Sequence, residues 1–499
     1  MVLSDIKKHF SVLLTFALVV VSTGSAELLN STPSADLSAT DSAGVSTQSA
    51  AVNVKENSSL AVVEKDTILP DFEEKLSEKT DTSGTYFVGE IVVKFKDGSS
   101  KKDQLALIRK NGLKIKRKTD SGPLILRVDT GDEQRMIDVF KADPNVEYTG
   151  LSYAAKSQLW GFGGGSSGSL SGCSNPNDPY FCMDNLRFIQ LGAIDGWALN
   201  RGSSSITIAI IDTGVNYNHV DLQNKIWKNP GESGGGKETN GVDDDNNGKV
   251  DDWRGWNFTG DGQFPNNNPM DDSGHGTLVA GAAAASTNNG LGIAGVNWYA
   301  KIMPLRVSYA NGSIQTNFAA DAIKYAVDNG AKVINISSNL DVEPLVTYKN
   351  NIKYAQDRGV LVVASSAYYN YDQNCFIGYP AGYTDVIAVS GMGTDVTNVA
   401  GCANTNSQYS PIRVSAASGN TWTTTKDGGY TVYVFPTTSL AAPAVSGIAA
   451  ALLGCYANYY IVRESFKYGV LDYGVAGYDS KYGWGAAHLY WQLKWACNL

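Results

Sequence analysis

A run of small and apolar residues near the C-terminus, from Thr437 to Gly454, constrains the fold more than any other stretch. It predicts a loop that turns into a buried helix, because Pro443 falls in the first turns and Gly454 marks the end. Ser439 lies at the predicted helix start, beside free backbone N–H groups and the positive end of the helix dipole. A serine there is either a simple N-cap or a nucleophile whose intermediate carries an oxyanion.

Two upstream stretches favour the nucleophile. Residues 204–214 form a β-rich run that ends in Asp212, which is typical of a buried parallel strand with an acid at its carboxyl end. Residues 272–281 place His275 between two glycines at the start of a helix of small residues. The chain has only four histidines, and one presented in this way is a candidate general base.

The order Asp212, His275, Ser439 is the order of the catalytic groups in subtilisin. On these motifs, the chain resembles the subtilisin family of serine proteases (subtilases). The resemblance implies that Ser439 attacks a peptide carbonyl, that His275 transfers the proton, and that Asp212 fixes the imidazole tautomer. It also implies that the substrates are proteins or peptides.

The alternation of apolar strands with helical patterns from residue 177 onward predicts an α/β sandwich with a mostly parallel sheet. The family resemblance implies that this sandwich is the subtilisin-like three-layer fold. We expect strands at residues 206–211, 301–306, 333–337, 361–364 and 386–390, and helices at 317–329 and 348–358.

Residues 86–153 show the order βαββαβ, which indicates a small α+β ferredoxin-like domain. Its last strand is expected at residues 146–153. In this position the domain resembles the inhibitory propeptide of subtilases, on the stretches 89–95 and 143–148. The resemblance implies that it docks on the protease and lays its C-terminal strand through the cleft. An unrelated small α+β domain is the alternative.

The chain therefore divides into five expected parts. They are a signal peptide at 1–26, a disordered Ser/Thr-rich acidic segment at 27–85, the inhibitory propeptide domain at 86–153, a linker and maturation region at 154–176, and the catalytic domain at 177–499. Lys7 and Lys8 before a short apolar run are typical of a secretory signal, with a membrane anchor as the alternative.

Beyond the signal, no apolar stretch is long enough to span a membrane, so we expect a secreted, soluble monomer. The net charge of −9 argues against nucleic acid as a partner. An even number of cysteines in a secreted chain predicts three disulfides, and nearest-neighbour pairing is one of fifteen connectivities. Weak glycosylation sequons begin at Asn30, Asn57, Asn257 and Asn311, and a fifth, at Asn335, falls in an apolar strand that is expected to be buried.

An acidic loop predicts a calcium site. Oxygen ligands alternate at Asp243, Asp245, Asn247 and Lys249, with Gly248 at the sixth position, as in the start of an EF-hand loop. Arg254 stands where the usual twelfth-position Glu would be, so Asp251 or Asp252 must close the shell. A solvated acidic turn is the alternative. The family resemblance alone implies a second calcium site, with ligands from Asp178, Asp221, Thr287, Asn289, Leu291 and Ile293.

The cleft departs from the family's pattern. An ungapped match puts Tyr368 where subtilases have an Asn that donates to the oxyanion, and Asn370 could take that role if the loop is two residues longer. The substrate-binding strand carries Ser337, Ser338 and Asn339 where Ser-Leu-Gly is usual. Side chains at Asn339, Ala367 and Thr437 should crowd the pocket for the residue before the scissile bond. Either specificity is narrowed to small side chains or activity is lost.

Two functions follow. The first is a secreted, calcium-stabilised serine endopeptidase that is made as a zymogen. The second is a catalytically weak or inactive subtilase fold that serves as a binding protein. The intact Asp212, His275 and Ser439 favour the first, and the replaced cleft residues favour the second.

Overall fold

The computed structural model describes residues 78–81, 84–157, 175–260, 264–340, 343–344, 346–366, 377–384, 386–393, 396, 399–400, 412–455 and 458–499. The expected signal peptide and most of the acidic segment and of the linker lie outside these residues. The described residues belong to one compact unit.

The N-terminal domain has the predicted βαββαβ order, preceded by one short strand. Its elements are β1 (Glu78–Asp81), β2 (Gly84–Phe95), α1 (Lys101–Lys110), β3 (Lys114–Lys118), β4 (Leu124–Arg127), α2 (Glu133–Lys141) and β5 (Val146–Ser157). The strands form an antiparallel sheet in the order β5-β2-β4-β3. Alternate residues of β2 face a core that includes Ile91, Val93 and Phe140.

The second domain begins with two helices and continues as alternating strands and helices. Its first half contains α3 (Phe181–Gln190), α4 (Ala193–Leu199), β6 (Thr207–Asp212), a 3₁₀ turn (Lys237–Thr239), β7 (Trp256–Asn257), α5 (His275–Ala284), β8 (Lys301–Arg306), β9 (Ser313–Gln315) and α6 (Thr316–Asp328). Its second half contains β10 (Val333–Ile336), β11 (Ser338–Asn339), α7 (Val346–Asp357), β12 (Leu361–Ser365), β13 (Val386–Met392), β14 (Val399–Ala400), β15 (Ile412–Ala417), β16 (Thr421–Thr424), β17 (Tyr430–Tyr433), α8 (Thr438–Cys455), α9 (Tyr459–Tyr468) and α10 (Leu489–Cys497).

The central sheet has the order β14-β13-β12-β10-β6-β8-β7, with β15 beside β13. Every described pair in it is parallel except β13 with β14, so the predicted mostly parallel sheet is confirmed. Each face of the sheet is covered, because β6 sends Ile208 and Ile210 to one core and Ala209 and Ile211 to the other. The three-layer α/β sandwich, expected from the strand–helix alternation together with the family resemblance, is therefore the observed fold.

Helix α8 runs through one of these cores. Among the described residues it is the one helix long and apolar enough to cross a membrane, and 89% of it is buried inside the protein, as expected of a core helix. It packs against α5 so closely that a Cβ at Gly447 would lie 2.7 Å from the carbonyl oxygen of Ala283. The helix ends at Cys455, one residue beyond the predicted Gly454, and a disulfide joins Cys455 to Cys497 on α10.

The two domains meet along β5. This strand extends four residues beyond its predicted end at Tyr153, because its last residues lie between two short strands of the second domain. Residues 154–156 pair antiparallel with β9, and residues 156–157 pair antiparallel with β11. An edge pairing between segments so distant in sequence leaves no local pattern from which it could be predicted.

Candidate active site

The carboxyl end of β6 and the first residue of α5 bring Asp212 and His275 together. The Nδ1 atom of His275 lies 2.7 Å from Oδ1 of Asp212, and both residues are buried. The backbone N–H of Thr213 also donates to Oδ1 of Asp212. Gly276 permits this approach, because a Cβ at that position would lie 2.0 Å from the carbonyl oxygen of Gly214. The Asp-Thr-Gly and Gly-His-Gly motifs thus meet at one point of the fold.

Burial alone would lower the pKa of His275, but the charge and the hydrogen bond of Asp212, with the charge of Asp271, more than offset it. The pKa of His275 is therefore raised above its usual value. Nε2 of the same ring is buried without a hydrogen-bond partner. A histidine fixed at one nitrogen by a carboxylate, with the other nitrogen available, is arranged as a general base.

Ser439 is the second residue of α8 and is buried. Its hydroxyl donates to the carbonyl oxygen of Ser337 at 3.3 Å, which ties it to the segment that leads into β11. The N-cap role belongs to Thr437, whose Oγ1 accepts from the N–H of Leu440 at 3.2 Å. Ser439 is therefore not the cap of α8. Its hydroxyl makes no hydrogen bond with Nε2 of His275, which has no hydrogen-bond partner among the described residues.

Two of the expected substrate-binding residues pair with β5, which lies in a cleft between β9 and β11. Ser338 and Asn339 form β11, and the side chain of Asn339 donates to Oγ of Ser365 at 2.9 Å. Asn339 also approaches Gly378, because a Cβ added at Gly378 would lie 3.0 Å from the Cβ of Asn339. Its side chain therefore lies between Ser365 and Gly378, on a surface that we call the cleft floor. Ala367, Tyr368 and Asn370 lie outside the described residues.

The acidic loop folds around a cluster that includes one residue the sequence pattern missed. Oxygen atoms of Glu232, Asp245 and Asp252 lie within 4.8 Å of one another. Oε2 of Glu232 is buried without a hydrogen-bond partner, and burial next to the other two carboxylates raises the pKa of Glu232. Asn247 contacts the cluster through hydrogen bonds to Asp245 and Asp252.

The other expected ligands of this loop make different contacts. Asp243 accepts from the backbone N–H groups of Asn247 and Gly248, and Asp251 accepts from that of Gly241. The ammonium group of Lys249 pairs with Asp120 of the N-terminal domain. The carboxylates of Asp243 and Asp251 are therefore not part of the described acidic cluster, although sequence spacing alone gave them the same standing as Asp245.

The residues expected at the second calcium site are also neighbours. Asp178 accepts from the N–H groups of Asn288 and Asn289. Asp221 accepts from the side chain of Asn289 and from the N–H of Ile293. Burial, to which the nearby charge of Asp221 adds, raises the pKa of Asp178 to about 6. Thr287 instead bonds through its hydroxyl to the carbonyl oxygen of Ala285, and Leu291 is half exposed.

The N-terminal domain makes buried polar contacts with the second domain. Gln315 of β9 donates to the hydroxyl of Ser152 at 2.7 Å. The carboxylate of Asp321 on α6 accepts from the N–H of Asp120 at 2.9 Å and from the N–H and hydroxyl of Ser121. Gln315 thus contacts β5 itself, and Asp321 contacts the turn between β3 and β4.

Two further expectations concern covalent modification. Cys182 is also disulfide-bonded, while Cys173, Cys375 and Cys402 lie outside the described residues. Asn257 is buried and its side-chain oxygen accepts from the N–H groups of Thr259 and Gly260, so the sequon there is not exposed in the fold. Asn311 is exposed, and Asn335 is buried as expected.

Comparisons with known proteins agree with this architecture. Residues 203–485 match the sequence model of the subtilase family, and residues 73–152 match that of the fervidolysin N-terminal prodomain. A thermophilic serine proteinase from Bacillus sp. (strain AK1) is 30% identical over 407 residues, which are 80% of this chain and 86% of the relative. Thermitase from Thermoactinomyces vulgaris is 33% identical over 277 residues, 56% of this chain and 85% of the relative.

The crystal structure of fervidolysin from Fervidobacterium pennivorans, a keratinolytic enzyme related to subtilisin, has a similar fold. It aligns with a TM-score of 0.62 at 22% identity, over 86% of this chain and 63% of that chain. At that identity the likeness supports the fold rather than a shared substrate.

Proposed function

The chain belongs to the subtilase family and is a serine endopeptidase with an N-terminal prodomain, and from this premise we propose that Asp212, His275 and Ser439 are its catalytic triad. The observation that carries the proposal is the 2.7 Å contact between His275 and Asp212 at the carboxyl end of β6. The proteinase activity of the relatives does not favour the alternative of an inactive binding protein.

In the proposed reaction, the hydroxyl of Ser439 leaves the carbonyl of Ser337 and transfers its proton to Nε2 of His275 as it attacks the peptide carbonyl. Asp212 stabilises the resulting imidazolium from the Nδ1 side. The imidazolium then protonates the leaving amine, and water repeats the sequence to release the acid. The backbone N–H of Ser439, at the positive end of α8, is one donor to the oxyanion. Asn370 and Tyr368 remain the candidates for the side-chain donor.

We infer that the prodomain inhibits the enzyme by occupying its cleft. The pairing of β5 with β9 and β11 supports this inference, because an extended substrate bound between the same two strands would use the same backbone groups. The buried contacts of Gln315 and Asp321 hold the prodomain in place. The chain's own prodomain and extended protein segments therefore compete for one site.

The cleft floor supports a preference for small side chains before the scissile bond. Asn339 stands where the family pattern has glycine, and its carboxamide bonds to Ser365 across the floor. A larger substrate side chain would have to displace that carboxamide.

Calcium is the proposed structural cofactor at both oxygen-rich sites. At the first, Glu232, Asp245 and Asp252 offer hard oxygen ligands, and the buried Oε2 of Glu232, which has no hydrogen-bond partner among the described residues, would be satisfied by a cation. At the second, Asp178 and Asp221 provide carboxylates and the loop 287–293 provides oxygens. In both places a cation would offset the negative charge of carboxylates that are held close together. Secretion is proposed from residues 1–26, which are typical of a secretory signal.

A serine-reactive fluorophosphonate probe tests this function. Labelling of the mature protein should disappear in Ser439→Ala. It should persist in Ser446→Ala, which removes another buried hydroxyl of α8 that bonds to Asn335. Labelling that survives Ser439→Ala would refute the assignment.

A further inference from the structure

A buried carboxylate outside the triad lies at the start of α5. Asp271 is 4% exposed and precedes His275 by four residues. One of its oxygens, Oδ1, accepts from the backbone N–H of Ser273 at 3.1 Å and of Gly274 at 2.7 Å. The other, Oδ2, accepts from the N–H of Thr277 at 2.8 Å and from its hydroxyl at 2.6 Å. Asp271 thus satisfies one N–H group of the first turn of α5, that of Thr277, and two in the segment that leads into the helix.

The same carboxylate is linked to the strand that carries Asp212. The hydroxyl of Thr213 donates to Oδ1 of Asp271 at 2.8 Å and accepts from the N–H of Gly276 at 2.8 Å. Thr213 follows Asp212 in the chain, and Gly276 follows His275. Asp271 is therefore hydrogen-bonded to Thr213, which is next to Asp212, and to Gly274, which is next to His275. Through the Thr213 hydroxyl it is also linked to Gly276, on the other side of His275.

We propose that Asp271 is a positioning residue that holds the imidazole of His275 in line with Asp212, through Thr213 and the first turn of α5. The proposal rests on the triad assignment above. Displacing a catalytic group by about 1 Å can cost on the order of a hundredfold in rate. Here the five hydrogen bonds that Asp271 accepts, and the one that Thr213 accepts from Gly276, oppose such a displacement.

Asp271 also acts on His275 by its charge. The carboxylates of Asp212 and Asp271 both favour the imidazolium. Other charges near the start of α5 come from Asp272, from its partner Arg306 on β8, and from Lys426, which follows β16 and bonds to the carbonyl of Asp272. The helix α8 and the strand β16, which also pack on α5, carry no charged side chains.

Asp271→Asn removes the charge and replaces one acceptor by a donor. We expect kcat per labelled active site to fall about a hundredfold and the acid limb of the pH profile of kcat/KM to move to lower pH, because a less basic His275 stays neutral at lower pH. Asp272→Asn is the matched control, since it makes the same charge change one residue away on a side chain that is 53% exposed. It should keep kcat.

Thr213→Val tests the geometry separately. It breaks the link between Asp271 and Gly276 but keeps the charge, so kcat should fall while the acid limb stays in place. If Asp271→Asn does not melt cooperatively, Thr213→Val decides the question. An unchanged kcat in Thr213→Val then overturns the proposal. The proposal is also overturned if Asp271→Asn folds and behaves like Asp272→Asn.

The triad assignment and the positioning role of Asp271 can fail separately. If Ser439→Ala keeps the activity, the triad assignment fails and the role of Asp271 fails with it. If Ser439→Ala is inactive but the variants of Asp271 and Thr213 match wild type, only this inference fails.

Discussion

Ser439 shows what a single residue's sequence context can and cannot establish. A serine at a helix start is usually a cap, and only the motifs around Asp212 and His275 favoured a nucleophile. In the structure Thr437, two positions earlier, caps the helix. Helix propensity cannot tell which of these two residues is the cap. Asp271 shows the opposite limit, because its role depends on Thr213, which is 58 positions away in the chain.

The cleft floor gives the first residue-scale prediction. Asn339→Gly should raise kcat/KM for peptides with Phe before the scissile bond about tenfold or more relative to those with Ala, because it removes a side chain from the pocket. Asn498→Gly is the control, at an exposed position whose φ of 56° suits glycine. An unchanged Phe-to-Ala ratio in Asn339→Gly would show that Asn339 does not limit the pocket.

The second residue-scale prediction concerns the oxyanion donor. Asn370→Ala should lower kcat about a hundredfold with little change in substrate affinity, because a short carboxamide is a better-held donor than a long phenol. Tyr368→Phe should stay near wild type. The reverse result would transfer the role to Tyr368, and no effect from either would leave the backbone as the sole donor.

At the scale of elements, strands and helices with a strong local pattern were predictable, and those made by distant partners were not. Strand β8 lies at its predicted bounds, 301–306, since both of its faces are buried and its apolar run is continuous. The extension of β5 and the cleft strand β9 depend on each other across the domain boundary. Similarly, alternation predicted Asp245, and Asp252 was one of two residues expected to close the shell. Glu232 lies outside the loop pattern and joins them only in the fold.

The acidic loop carries the element-scale prediction. Excess chelator should lower the melting temperature, and Glu232→Gln should reduce that calcium-dependent difference, because a ligand that binds only the folded state stabilises it. Asp243→Asn should have a smaller effect, since Asp243 bonds to backbone N–H groups of the loop. A thermal scan that chelator leaves unchanged, with removal of metal confirmed, would contradict the calcium proposal.

At the scale of the whole molecule, stability should depend on one buried lysine. Lys225 is 5% exposed and donates to the carbonyl of Trp298, and burial, together with the charge of Lys301, lowers its pKa to about 7. The unfolded chain then binds more protons between pH 7 and the usual lysine pKa near 10.5. This group therefore makes stability rise with pH across that window.

Replacing Lys225 by Met should stabilise the fold most below pH 7, and the gain should shrink as the pH rises toward 10. Unfolding is best followed in the Ser439→Ala background, which prevents self-digestion. The exposed Lys228 provides the control, because Lys228→Met should give no such pH-dependent gain. A gain for Lys225→Met that does not vary with pH would contradict the assignment.

The central claim is that Ser439 is the nucleophile of a zymogen that cleaves its own prodomain from the cleft. The most direct test is the intact mass of the purified protein from a host without other proteases. Wild type should lose the prodomain and begin between residues 158 and 177, since Ser157 is still paired in the cleft and Asn177 already bonds to Asn288. Ser439→Ala should keep the prodomain attached. A Ser439→Ala protein that still matures by itself would contradict the account.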